Sequence, residues 1–281
     1  MSFDFGVNAS SPRNDPRLLV VRLLCHGQGM SSTHDSLEPV RRLARALPGG
    51  MALGRRLRRL FNPEMRTIYQ LIRTERGRLF QPFPDTWDER YPTLFDALAE
   101  RLAGLREPRI LSFGCSSGAE VRALRSRLPL ARITGIDLNP RALAKARRDD
   151  PHPLSSYHSA ADPADCFDAV LALAVFRHGK LESDRPDDCS PVLAFGRFEQ
   201  GVAALDACLV PGGWLAIHHS HFRFTDTFLA GRYRAEPADL PEITPTEVLY
   251  GPDNRRLPGA ELLPVLFRKL AEPVPEPGSA T

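Results

Sequence analysis

The sequence predicts an α/β protein: a mostly parallel sheet with helices on both faces, preceded by a helical N-terminal region. Three observations carry this. From Arg109 onward, short apolar runs alternate with stretches of helical spacing. The run Phe167 to Val175 is almost wholly apolar, the pattern of a strand covered on both faces. Turn and helix-start formers, Asn139-Pro140 and Pro211-Gly212-Gly213, punctuate the alternation.

Taken in order, residues 1–17 mix Gly, Asn, Ser and Pro without periodicity and are expected to be a mobile arm. Residues 18–107 show helical spacing and no strand alternation. Leu94, Leu98, Leu102 and Leu105 recur at helical intervals, behind a Thr93 that is expected to cap the helix with Asp96. Ile110 to Phe113, apolar apart from Ser112, is the first strand, and Val121, Leu124 and Leu128 form the next helix stripe. Ile133 to Leu138 is the second strand. Asn139 then caps the following helix and Pro140 fits its first turn. Phe198, Val202, Leu205 and Leu209 make a further helix stripe before the 211–213 turn, after which Trp214 to Ile217 opens another strand. Val248 to Leu257, with the turn Gly251 to Asn254, and Pro264 to Leu270 are expected to pair antiparallel at the end of the sheet. Residues 272–281 contain three prolines and are expected to be a flexible tail. The expected sheet domain is therefore 108–271.

The chain has 281 residues, 42% hydrophobic and 25% charged, the balance of an ordinary globular protein with a sizeable core. No stretch approaches the roughly 20 apolar residues of a membrane helix. Leu18 to Cys25 is interrupted by Arg22 and lacks a basic segment before it, so no secretory leader is expected. Five scattered cysteines, without a CxxC pair, argue against a disulfide framework and a cysteine zinc site; a reduced, cytoplasmic protein is expected. A net charge of +3 does not by itself imply nucleic acid. Arg41 to Arg59 holds seven arginines and no acid, but only three of the 37 basic residues in the chain are lysines, so arginine bias is global and the run reads mostly as a solvated face. The alternative is a surface that docks RNA, an acidic carrier protein or a membrane.

The chemistry is expected at the carboxyl ends of the parallel strands. The first ends in Phe113-Gly114-Cys115-Ser116-Ser117-Gly118-Ala119-Glu120, where glycines let a ligand approach the main chain. The second ends in Asp137-Leu138-Asn139, and Asp137 is placed to accept hydrogen bonds from two ribose hydroxyls. A dinucleotide site wants G-x-G-x-x-G, but position 116 is Ser; a P-loop needs a lysine after the last glycine, and none follows Gly118. The pair therefore suits an adenosine-type ligand without phosphate.

On these residues, 109 to about 220 resembles the class I S-adenosylmethionine-dependent methyltransferases. Ile110 to Glu120 is similar to the loop of the chemotaxis-receptor methyltransferase branch. Asp137, the Phe167-Asp168-Ala169-Val170 stretch followed by His178, and Pro211-Gly212-Gly213 agree in order. The resemblance implies a Rossmann-like, seven-stranded sheet and S-adenosyl-L-methionine as cofactor. It implies that Phe113, Gly114, Cys115, Ser116, Gly118 and Glu120 line the methionine and ribose, that Asp137 holds the ribose with Leu138 and Asn139 beside it, and that Leu173 and Ala174 flank the methionine. Ser159 to Asp162 falls where the third strand would meet the adenine edge, with a poor match. Ala119 replaces the first of two consecutive acids of the chemotaxis branch, so receptor methylation is not carried over.

His178, at the end of the central strand, and His219 and His221, which would share a face of an extended strand, are the candidate bases. A metal on these histidines is not expected, because no carboxylate sits at ligand spacing. The aromatic, proline-rich segment Phe80 to Pro92 is a candidate lid, with Arg90 or Arg78 for the cofactor carboxylate. The expected activity is methyl transfer to oxygen or nitrogen of a small-molecule or peptide-like acceptor, bound between the helical first third and residues 175 to 235, without nucleic acid or membrane as partner.

Overall fold

The computed structural model describes residues 62–83, 86–162 and 164–271. The expected arm, the basic run 41–59 and the tail 272–281 lie outside these. The chain divides into two compact units, 1–70 and 71–281. Helix α1, Pro63–Thr74, crosses that division; everything below concerns the second unit.

That unit contains helix α2 (Pro92–Leu102), strand β1 (Arg109–Phe113), α3 (Ala119–Arg127), β2 (Arg132–Ile136), α4 (Pro140–Asp149) and β3 (Ser155–His158). There follow β4 (Phe167–Leu173), α5 (Gly179–Asp184), α6 (Phe195–Ala207), β5 (Leu209–His218), β6 (Tyr233–Glu236) and β7 (Leu266–Lys269). The strands form one seven-stranded sheet in the order β3-β2-β1-β4-β5-β7-β6. β1 to β5 pair in parallel, and β7 runs antiparallel to both β5 and β6. The Rossmann-like, mostly parallel architecture is thus as expected.

β4 shows why a continuous apolar run belongs here. Its Phe167, Val170 and Ala172 enter one core cluster with α5 and α6, while Ala169, Leu171 and Leu173 enter the other with α2, α3 and α4. Successive side chains point to opposite faces, so both faces need apolar residues. α2 places Leu94, Phe95, Leu98 and Leu102 in the same core as Ile110 and Leu171, so it packs as part of the sheet unit and not as a separate helical region.

Several boundaries differ from expectation. Thr93 does not cap α2. The helix starts at Pro92, and its free amide end is met by Glu242 from a distant loop: Leu94 N–H donates to Glu242 Oε1 at 3.0 Å, and the Thr93 hydroxyl donates to Oε2. Pro211-Gly212-Gly213 does not precede β5 but lies within it, as a bulge where the register against β4 shifts between Phe167 and Ala169. β3 is Ser155–His158, so Ser159 to Asp162 is the loop after it. The partner of β7 is Tyr233–Glu236. The stretch around Val248 to Leu257 makes only isolated bridges, Tyr250 with Arg256 among them.

Candidate active site

The strand order reverses at β1, whose neighbours are β2 and β4, and in such sheets the ligand crevice opens beyond the strand tips at that point. The tip of β1 folds back onto β2: Gly114 N–H and Cys115 N–H both donate to Ile136 O, at 2.8 and 2.9 Å. Gly114 has φ +80, and a Cβ there would lie 2.5 Å from Val175 Cγ2 of the β4 tip, so both conformation and crowding require glycine. Ser116 (φ 49) and Ala174 (φ 58) also take left-handed backbone, which is uncommon and concentrates at functional sites.

Asp137 follows β2. Its Oδ2 accepts from Ser116 N–H at 2.9 Å and its Oδ1 from Asn139 N–H at 2.7 Å. Burial raises its pKa and these two amides oppose the rise. A carboxylate offers about four acceptor sites, so two remain for a vicinal diol. Glu120 projects from the first turn of α3. Burial pushes its carboxyl up to about 7, against the Ser112 hydroxyl and the Arg90 guanidinium, and Glu120 Oε1 is buried without a hydrogen-bond partner. Cys115 is buried and its thiol is pushed far up by desolvation and by Asp137, so it is no nucleophile at neutral pH.

These groups open on one cavity of about 630 Å³, within the span of small-molecule sites. One bank is the strand tips: Phe113, Gly114, Cys115, Ser116, Glu120, Asp137, Leu138, Leu173, Ala174 and the 159–162 loop. The other is Gly77 to Gln81, Phe83, Thr86, Trp87, Glu89 to Tyr91 and Phe95, with the face of α6 that carries Arg197, Gly201 and Ala204. Arg90 stacks 4.3 Å from the Trp87 ring centroid. Gly118 and Asn139 stand off the cavity wall. Gly118 is glycine because a Cβ would meet Tyr157 Oη at 2.9 Å and Ala146 Cβ at 3.1 Å, and Asn139 caps α4 by accepting from Arg141 and Ala142 N–H.

Of the three histidines, His178 and His221 meet, His221 Nε2 lying 3.4 Å from His178 O, while His219 turns to Arg90 and Tyr91; none lines the cavity. His178 caps α5 by accepting from Lys180 N–H at 3.1 Å. β5 ends at His218, and His219 has φ 50, so it is not extended and shares no strand face with His221. His221 is buried, with Nδ1 2.9 Å from Val248 O. His219 Nδ1 lies 3.1 Å from Tyr91 Oη and 3.4 Å from Arg90 Nη2. Arginine only donates, so Nδ1 is the unprotonated nitrogen. Burial, with Arg90 and Arg177 nearby, lowers the His219 pKa to about 4. Among the described residues no group of three or more His, Cys, Asp or Glu side chains could hold a metal, and no helix is long and apolar enough to cross a membrane.

Sequence reasoning expected the acceptor against residues 175–235, and cavity-lining residues are found there, but it singled out neither Arg197 nor Gly201. One signal was present: Arg197 sits in the first turn of α6, where the helix dipole disfavours a cation.

A switch-point cavity, a turned-back glycine loop and a second-strand acid thus meet at the tips of β1 and β2. Residues 111–217 match the model of the methyltransferase domain family. The chain is 33% identical over 141 residues to an uncharacterized protein, syc1184_c, of Synechococcus sp., covering 47% of this chain and 30% of that protein. It is 33% identical over 136 residues to the biotin biosynthesis bifunctional protein BioCD of Bordetella avium, covering 47% and 26%. The chain thus spans less than a third of either relative's length. Among solved structures it is similar to CalS10, an amino pentose methyltransferase from Micromonospora echinaspora, at 24% identity, covering 60% of this chain and 62% of that one, with a TM-score of 0.36.

Proposed function

We propose that the protein is an S-adenosylmethionine-dependent methyltransferase that methylates an oxygen or nitrogen of a small-molecule or peptide-like acceptor. The observation that carries this reading is that Asp137, with two acceptor sites to spare, and the Gly114–Ser116 loop face one cavity at the switch point. When bound, the cofactor supplies a methyl group on a sulfonium. Asp137 would hold the ribose hydroxyls, Leu138 would pack on the adenine, Phe113, Leu173 and Ala174 would enclose the methionine chain, and Glu120 would meet its ammonium. Arg90 is the candidate for its carboxylate.

The chain's work is alignment and water exclusion. The strand-tip bank fixes one reactant, and the aromatic Phe80–Tyr91 bank shields the line of attack. A base is needed only where the acceptor arrives protonated. Of His178, His219 and His221, only His219 touches cavity-lining side chains, Arg90 and Tyr91, and it is uncharged at neutral pH. Held at a pKa of about 4, it is too weak to take the acceptor's proton, and we assign it the positioning of the Tyr91 hydroxyl at the cavity wall.

Calorimetric titration with S-adenosylhomocysteine, with NADH as the control, tests the reading. Micromolar binding of the first and none of the second is expected. Asp137→Ala should weaken binding by about 2 kcal/mol, roughly thirty-fold, through lost charge-assisted hydrogen bonds. Preference for NADH, or unchanged affinity in Asp137→Ala, would overturn it.

A further inference from the structure

The cavity has an end that the cofactor assignment above does not use. It is built by Arg197 and Gly201 of α6, with Phe80 and Gln81. Arg197 Nη2 donates to Gly77 O and Leu79 O, at 3.2 Å each, and the guanidinium lies 5.3 Å from the Phe80 ring centroid. Nη1 makes no hydrogen bond, and Nε is buried without a partner. Among the described residues no carboxylate pairs with Arg197; the charge felt most is that of Arg76, which repels it. The neighbouring cavity cation, Arg177, is by contrast paired with Glu182 at 3.2 Å.

A guanidinium stays charged at any relevant pH, and Arg197 is half-buried with its Nε shut away from water, so part of its charge is desolvated without an anion to offset it. Here the helix dipole adds to that cost. Below lies an apolar floor. A Cβ at Gly201 would meet Phe176 at 2.8 Å and Phe80 at 3.0 Å, so glycine lets the Phe80 ring lie against α6, edge-on to Phe176 at 5.0 Å. An unsatisfied planar donor over an aromatic floor has the complement of a carboxylate on an apolar body.

We propose that this end of the cavity binds the methyl acceptor, and that the acceptor is a carboxylic acid with an apolar or aromatic body, its carboxylate held by Arg197 and its body against Phe80. This rests on the methyltransferase reading for the word acceptor only; the acid site itself is measurable without it. The probes are acid and amide pairs of equal shape: cinnamate with cinnamamide, 2-naphthoate with 2-naphthamide, octanoate with octanamide. They are titrated into the full chain with and without saturating S-adenosylhomocysteine.

At least one acid should bind ten-fold or more tighter than its amide. Arg197→Met should bring that ratio within two-fold, and Arg197→Lys should keep part of it. S-adenosylhomocysteine affinity should stay within two-fold in both variants, which also reports that the site is folded. The proposal is overturned if no acid outbinds its amide, if Arg197→Met keeps the preference, or if Arg197→Met instead loses S-adenosylhomocysteine, which would give Arg197 to the cofactor carboxylate. Absence of S-adenosylhomocysteine binding in the unaltered protein would sink the methyltransferase reading alone.

Discussion

Glu120 is a carboxyl that the fold keeps close to half-protonated. Burial raises its pKa from the ordinary 4.5 to about 7, and one oxygen has no partner. A bare carboxylate in that place is expensive, so an arriving cation is worth more to Glu120 than to a solvated acid. If the ammonium of the cofactor lands beside it, the pKa falls and the proton leaves. Titration of S-adenosylhomocysteine at pH 6.5 in two buffers of different ionisation heat should therefore show release of a large fraction of a proton. Glu120→Gln should show none, and should bind more weakly. A buffer-independent heat in the unaltered protein would place the ammonium away from Glu120. His219 makes the opposite use of burial: it stays neutral, so that Nδ1 can accept from Tyr91 and stand against Arg90.

The sheet's antiparallel edge is closed by a buried polar cluster. Lys269 of β7 donates to Asp206 O at 2.6 Å and Leu209 O at 2.8 Å, and pairs with Asp206 Oδ1 at 3.0 Å. The Tyr233 hydroxyl donates to the same Oδ1 at 2.7 Å, and Arg232 pairs with Oδ2 at 2.9 Å. Asp206→Ala leaves Lys269 buried and uncompensated and should cost about 3–5 kcal/mol in urea unfolding; a loss below about 1 kcal/mol would show the edge held by its apolar contacts alone. Elements of this kind also mark where the sequence became hard to read. β1, β2 and β4 are legible because both their faces are covered and their apolar residues are contiguous. β3, with Ser155, Ser156 and His158 around the single buried Tyr157, and β6, with Arg234 and Glu236 beside Tyr233, are edge strands whose alternation is too short to see. The 211–213 turn formers are read as a turn before the strand but sit inside β5 as a bulge. The site divides in the same way. Its strand-tip bank is one local motif plus Asp137 and could be read in sequence, whereas the Arg197 bank is made by residues more than a hundred positions apart, such as Arg197 with Gly77.

At the scale of the molecule, these buried groups set how stability follows pH. His218 and His219 are lowered to about 3 and about 4 by burial, so between pH 4.5 and 6 the unfolded chain binds two protons that the folded one refuses. Stability from a depressed histidine is present above its unfolded pKa and lost as pH falls below it. Glu120, raised to about 7, works the other way: in that window the folded state keeps a proton the unfolded state is giving up, so acid favours folding. The net difference is one proton bound by the unfolded state, or about 1.4 kcal/mol of stability lost per pH unit on acidification. His178 and His221 are also lowered by burial and add with the same sign. Asp137, raised by burial, acts with the sign of Glu120, so urea unfolding between pH 6 and 5 should show stability falling on acidification with a slope near that value. Glu120→Gln removes the opposing proton, so it should steepen the slope toward about 2.8 kcal/mol per pH unit while raising stability at pH 8. A flat profile, or one that gains stability in acid, would mean that His218 and His219 reach water in solution and that the wall behind Arg90 and Tyr91 is not closed.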